Sequence, residues 1–231
     1  DPRNLEVKML SSGNYDTAWI EGLRQRPEVG FAIGQTRSLN TQADLLVGLQ
    51  RFVENAEIIP SAAADPLLNL PDITLSANQV ILSARAAQRL QANVGDSVRV
   101  RVSRRLDGIN ERGELNLIVV AVLDAARFGR AAGFVAPPLL LELERFRDGY
   151  QVPAFGLATG KPVGDLQPLY ARARVYARDI DSVAPLERWL NQQNIETSSR
   201  LADIDNVKAI NHVLGLIFGV IAGAALIGCI A

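Results

Sequence analysis

The chain is poor in the side chains that most often carry chemistry. It holds a single cysteine, Cys229, and a single histidine, His212. One cysteine excludes an intramolecular disulfide. The neighbours of Cys229 are all apolar, which marks it as a buried, inert thiol. A domain of this size holds together without disulfides, so their absence assigns no compartment. Without a second histidine, or a cysteine outside the apolar C-terminal run, the familiar nucleophile–base pairs lack members. No His/Cys/Asp cluster has metal-ligand spacing, and no GxxxxGK[ST] loop is present to hold ATP. The sequence therefore points to no metal and no cofactor.

Lysine is scarce as well. Only Lys8, Lys161 and Lys208 are lysines among 24 basic residues, and the arginines are spread thinly along the chain. With a formal net charge of −1, no basic excess points to nucleic acid and no acidic excess to a solvating tail. Glu54, Glu57 and Asp65 read as isolated surface carboxylates.

Apolar residues, in contrast, are plentiful. They make up 48% of the 231 residues against 21% charged, a balance that folds as a globule. This length suits one large domain or two small ones. Residues 5–9 alternate apolar and polar with the period of a strand. A helix capped by Asp16 or Thr17 runs to about Gln25, and Pro27 stops it. Val29, Phe31 and Ile33 alternate as a second strand, and residues 43–47 extend again. Near the other end, residues 170–177 alternate as a strand. A helix capped by Asp181 or Ser182 follows, with Pro185 in its first turn, and residues 195–200 read as a strand. Each end thus reads as β-α-β. The economical arrangement is two such halves side by side in one sheet, with everything between them inserted.

The insert has its own pattern. Residues 58–60 and 64–68 read as extended or turning, because the residue before proline avoids the helical region. A short strand is expected at 80–82, a helix capped by Ser83 at 83–91, and a turn at 93–96. Val98, Val100 and Val102 then alternate with polar residues. Residues 106–114 read as a hairpin tip. Residues 115–123 (LNLIVVAVL) read as a strand buried on both faces. A strand at 134–138, a helix at 139–147 and a loop over 148–168 complete it. Arg99, Arg101, Arg104 and Arg105 make a basic face on the valine strand. One reading is a partner-docking surface; the other is a solvated edge that discourages strand pairing.

The last segment differs from the rest. Residues 213–231 (VLGLIFGVIAGAALIGCIA) contain 19 positions without a charge, long enough as a helix to cross about 30 Å of hydrocarbon. Gly215, Gly219 and Gly223 fall at GxxxGxxxG spacing, which on one helix face lets another membrane helix approach closely. Leu201, Ile204, Val207, Ile210 and Val213 recur every three residues just before. One helix over 203–231 is expected, half stalk and half membrane span. His212 sits where stalk would meet headgroups.

The chain resembles the extracytoplasmic domain of FtsX-like/MacB-like ABC transporter permeases, a group that includes the lipoprotein-releasing permeases. The residues that carry the likeness are 80–91 (VILSARAAQRLQ), 94–98 (VGDSV) and 117–123 (LIVVAVL). The resemblance implies an α+β fold: a porter-like subdomain of two β-α-β halves over 1–70 and 165–202, and an inserted α+β, sabre-like subdomain over 71–164. A stalk and transmembrane helix over 203–231 would follow. It implies a bacterial inner-membrane protein with residues 1–205 extracytoplasmic, and no enzyme in this chain. Its partners would be an ABC ATPase subunit that hydrolyses ATP, a second permease copy in a homo- or heterodimer, a periplasmic partner protein and the membrane itself. The role would be mechanotransmission, or export of a lipoprotein, peptide or small molecule. Two rivals are a single-pass membrane-anchored extracytoplasmic binding module and a membrane-anchored hydrolase with an unfamiliar site.

Overall fold

The computed structural model describes residues 1–8, 15–37, 42–70, 73–199 and 210. The two ends of this chain build one sheet. The first half is β1 (Asn4–Lys8), α1 (Thr17–Arg24) and β2 (Val29–Gln35); the second is β9 (Arg172–Ala177), α4 (Val183–Gln192) and β10 (Glu196–Ser199). The strand order is β10-β1-β9-β2, and every neighbouring pair is antiparallel. Each half is therefore a split β-α-β unit with a strand of the other half between its own two.

Local chemistry sets the helix starts. The Asp16 carboxylate accepts the Trp19 N–H at 2.9 Å, closing the N-terminus of α1. Before α4, the Asp179 carboxylate accepts the Ser182 N–H at 2.8 Å. Both helices cover one sheet face, where Leu5, Val7, Ala173, Val175 and Ala177 pack on Ile20, Leu23, Leu186 and Leu190. Alternation sends Phe31, Ile33, Arg174 and Tyr176 to the opposite face. A bulge between Val29 and Phe31 shifts the parity of β2, so that Val29 and Ala32 share the helix side.

Between β2 and β9 the chain forms a closed barrel. Its strands are β3 (Gln42–Val47), β4 (Arg51–Pro60), β5 (Gln79–Ser83), β6 (Ser97–Leu106), β7 (Ile109–Leu123) and β8 (Ala132–Val135), joined in the order β3-β4-β8-β5-β7-β6. Inward side chains fill it: Leu45, Ile58, Val80, Leu82, Val98, Val100, Val102, Leu117 and Val119. The helix α2 (Ala84–Leu90) touches β3, β4, β5, β7 and β8, so it closes one mouth, adding Ala86 and Leu90 to the core. The helix α3 (Pro137–Arg147) contributes Leu139, Leu140, Leu143 and Phe146. On the outer wall, Ile59, Ile81 and Phe134 lie under Leu67, Leu68, Leu70, Ile73 and Leu75. Leu67 also packs on Phe31, Ile33 and Tyr176, so this segment is sandwiched between barrel and sheet.

This architecture corrects the expected one. The described chain is mostly β and built around a closed six-stranded barrel, not an α+β porter-like fold with an inserted α+β layer and a stalk helix. Residues 42–60, placed by the expected division with the sheet, supply two barrel strands. The reason lies in pairing: β3 joins β6, and β4 joins β8 in parallel, contacts that no local pattern writes down. The hairpin tip expected over 106–114 shrinks to Asp107 and Gly108, with φ of 49° and 84°, a two-residue turn between long strands. The strand at 115–123 is not buried on both faces. Leu117 and Val119 point inward, while Ile118 and Val122 face out and are 40% exposed. Among the described residues no helix is long and apolar enough to cross a membrane. The expected stalk and span over 203–231, except Ile210, lie outside the described residues.

Ser83 carries two jobs. Its hydroxyl accepts the Ala86 N–H at 3.2 Å, capping α2, and the Ala132 N–H at 3.0 Å, tying in β8. Ser83→Ala leaves both buried donors without a partner and is expected to cost about 1–2 kcal/mol. Urea unfolding checks this: Ser83→Thr, which keeps the oxygen, should lose less.

Candidate functional site

The sheet and the barrel meet at a buried ion pair. Arg174 sits on the barrel-facing side of β9, and Asp65 on the segment that leaves β4. The guanidinium grips the carboxylate with both arms, Nη1 to Oδ1 at 2.8 Å and Nη2 to Oδ2 at 2.6 Å. Nη2 also donates to the Pro60 carbonyl at 3.0 Å. The carboxylate is further held by the Ser61 hydroxyl at 2.6 Å and the Leu67 N–H at 2.9 Å. The Asp65 side chain is fully buried and that of Arg174 is 8% exposed. Phe31 and Tyr176 flank the cation, with ring centroids 5.7 and 5.9 Å away. Burial raises the Tyr176 phenol above its ordinary pKa, against the opposing pull of Arg174. Asp65 read as an isolated surface carboxylate from sequence; the structure makes it the anion of this clamp.

A second contact joins the bodies from the side. Arg37, just after β2, donates to Glu144 at 2.7 Å and to Asp148 at the end of α3. These two carboxylates raise the Arg37 pKa further above its ordinary value. They border an open groove of about 300 Å³ lined also by Leu141, Tyr150, Leu166 and Leu169.

The four arginines of β6 part company. Arg99 and Arg101 lie on the outer wall and share Glu114 of β7, at 3.2 and 2.7 Å. The bond from Arg101, reinforced by Arg99, holds the Glu114 carboxyl below its ordinary value of 4.5. Arg105 is exposed opposite Asn110 near the hairpin turn. Arg104 belongs to no surface. Its parity is that of Val98, Val100 and Val102, so it points inward, and its side chain is 1% exposed. It pairs with Glu111 at 2.6 Å and stacks 4.1 Å over Phe146. Its remaining donors reach the carbonyls of Phe146, Tyr150 and Thr159 at 2.7 to 3.0 Å. Arg104 therefore cannot dock a partner; it pins residues 146–159 to the barrel. The alternation that identified the valines already assigned it inward.

Gly215, Gly219, Gly223 and His212 lie outside the described residues. Among the described residues, no group of three His, Cys, Asp or Glu side chains could hold a metal ion. No family model matches the chain, and no curated protein matches it.

Two outcomes are expected. Asp65→Ala strands a buried guanidinium and should lower stability by about 3–5 kcal/mol, while Asp65→Leu combined with Arg174→Met should recover much of that loss. Urea unfolding of the full chain measures both. The folded pKa of Glu114 lies below its unfolded value, so its stabilising contribution is present above about pH 4.5 and lost as pH falls through the folded pKa. Stability should therefore fall less steeply on acidification in Glu114→Gln than in the parent chain.

Proposed function

We propose that this chain is the extracytoplasmic domain of an ABC transporter permease subunit, which carries ATP-driven motion of membrane segments into the space outside. The observation that carries this reading is the buried Arg174–Asp65 clamp. Two bodies joined by a desolvated, bidentate pair move as one block and transmit a displacement instead of absorbing it. The apolar run over 213–231 supplies attachment to the membrane. The motifs behind the family resemblance also sit together in the fold. β5 leads into α2, the 94–98 turn opens β6, and residues 117–123 of β7 lie beside β5 in parallel.

In this reading the chain performs no chemistry, and an ATPase subunit hydrolyses ATP. A second permease copy and a periplasmic protein complete the assembly, in a bacterial inner membrane. Full-length protein purified from its membrane should bring with it, at fixed ratio, an ATPase bearing a Walker A loop. ATP should then change the distance between spin labels at Arg188→Cys on two copies. Purification without an ATPase, or label distances indifferent to ATP, would sink the reading and leave the anchored binding module.

A further inference from the structure

A groove at the junction of sheet and barrel is lined by four arginines and two glutamates. Arg85 and Arg89 come from α2, Arg130 from the segment before β8, Arg172 from β9, and Glu54 and Glu57 from β4. Its volume is about 480 Å³, within the range of ligand clefts. The arginines outnumber the carboxylates by two, and the pairing inside is uneven. Arg130 is held by Glu57 at 3.0 Å, and Arg172 reaches Glu6 only at 3.7 Å. Arg85 and Arg89 are exposed, and their side chains make no hydrogen bond or ion pair among the described residues. They lie one helical turn apart, because the apolar face of α2 (Ala86, Ala87 and Leu90) is buried in the barrel mouth.

We propose that this groove binds an extended, carboxylate-rich segment of a partner protein. An extended chain presents side chains on one face about every 6.6 Å. Residues four apart on a helix sit about 5–6 Å apart at Cβ, so two carboxylates at alternate positions meet Arg85 and Arg89 together. Guanidinium forks take carboxylates bidentately. Beyond them the groove continues to Arg172, two residues before Arg174 on the same sheet face. A bound segment therefore spans α2 and β9 beside the clamp, touching both bodies at once.

The direction of the sheet favours a protein over a lipid surface. Arg172 is level with Lys8 and Gln35, the end at which β10 begins with Glu196. β10 runs away from that end, and Ser199 lies level with Leu5 and Val175. β10, the last described strand, therefore leads away from the groove end of the sheet. This preference rests on the membrane attachment proposed above; the basic character of the groove does not.

The test uses the full chain in a zwitterionic detergent and a fluorescent peptide with glutamate at every second position. Anisotropy should report binding that weakens as salt rises. Arg85→Glu combined with Arg89→Glu should weaken it at least tenfold, while Arg188→Glu on the far side of the sheet leaves it unchanged. Thermal unfolding confirms that each variant is folded. No binding, or equal binding by parent and double variant, overturns the proposal. So does calorimetric binding of dihexanoyl phosphatidylglycerol, lost in the Arg85→Glu/Arg89→Glu variant, by a chain that ignores the peptide, which would assign the groove to lipid. None of these readouts involves an ATPase, so the permease reading stands or falls separately.

Discussion

The structure depends on whether one buried charge finds its partner. Arg174 lies on the face of the sheet that its own helices leave bare. That face carries Phe31, Ile33 and Tyr176 and needs a cover. The cover is the segment following β4, and Asp65 is what fixes its shape. Its carboxylate takes the Ser61 hydroxyl and the Leu67 N–H, and its backbone carbonyl takes the N–H groups of Leu68 and Asn69 at 3.1 and 3.0 Å. The same segment lays Leu67, Leu68 and Leu70 over the outer barrel wall. Removing two charges from water is costly, and it is offset only where geometry is good and the remaining hydrogen-bonding capacity is satisfied. Here both carboxylate oxygens are shared among several donors. The guanidinium Nε, buried with no hydrogen-bond partner, is the one gap.

Arg104 repeats this solution at the barrel. A cylinder filled by Val98, Val100, Val102, Leu117 and Val119 must end somewhere. At the hairpin end it does so with an inward guanidinium that gathers Glu111 and three backbone carbonyls. Burial brings the Phe146–Phe155 edge-to-face pair over it, with ring centroids 5.3 Å apart. Both jobs need a planar, permanently charged fork with donors spread in one plane, which lysine cannot offer. The shortage of lysine in this sequence thus has a structural counterpart, since both buried basic residues described are arginines.

Stiffness and access are then divided between the two kinds of arginine. The desolvated ones join sheet, covering segment and barrel into a block. Those left in water, Arg85 and Arg89, lie next to the joint and have charge to spare. A machine that moves one copy of this block against another needs the first; one that must be met by a second protein needs the second. The outer face of β6 serves neither purpose directly, because Arg99 and Arg101 are both drawn to Glu114 on the adjacent strand.

Features that depend on neighbours within a turn or a strand are legible along the chain. The Asp16 and Ser83 caps, the helix stopped before Pro27, and the period-two runs at 98–102 and 172–177 are set by local hydrogen bonds and alternation, whereas at 29–33 a bulge after Val29 breaks the alternation and sends Val29 and Phe31 to opposite faces. The caps and the two unbroken runs are legible at sight. So is the inward direction of Arg104, which shares the parity of Val98, Val100 and Val102. Tertiary structure alone decided which strands meet. Parallel pairs such as β4 with β8 join residues 75 positions apart, as in Glu57 with Ala132, and barrel closure turns one face of each strand inward whatever its own composition. That is why Ile118 and Val122, apolar enough to pass for core, ended outside. It is also why Asp65, one carboxylate among several by sequence, became the anion on which the joint rests: a charge gains a partner at a distance only when folding brings one within reach.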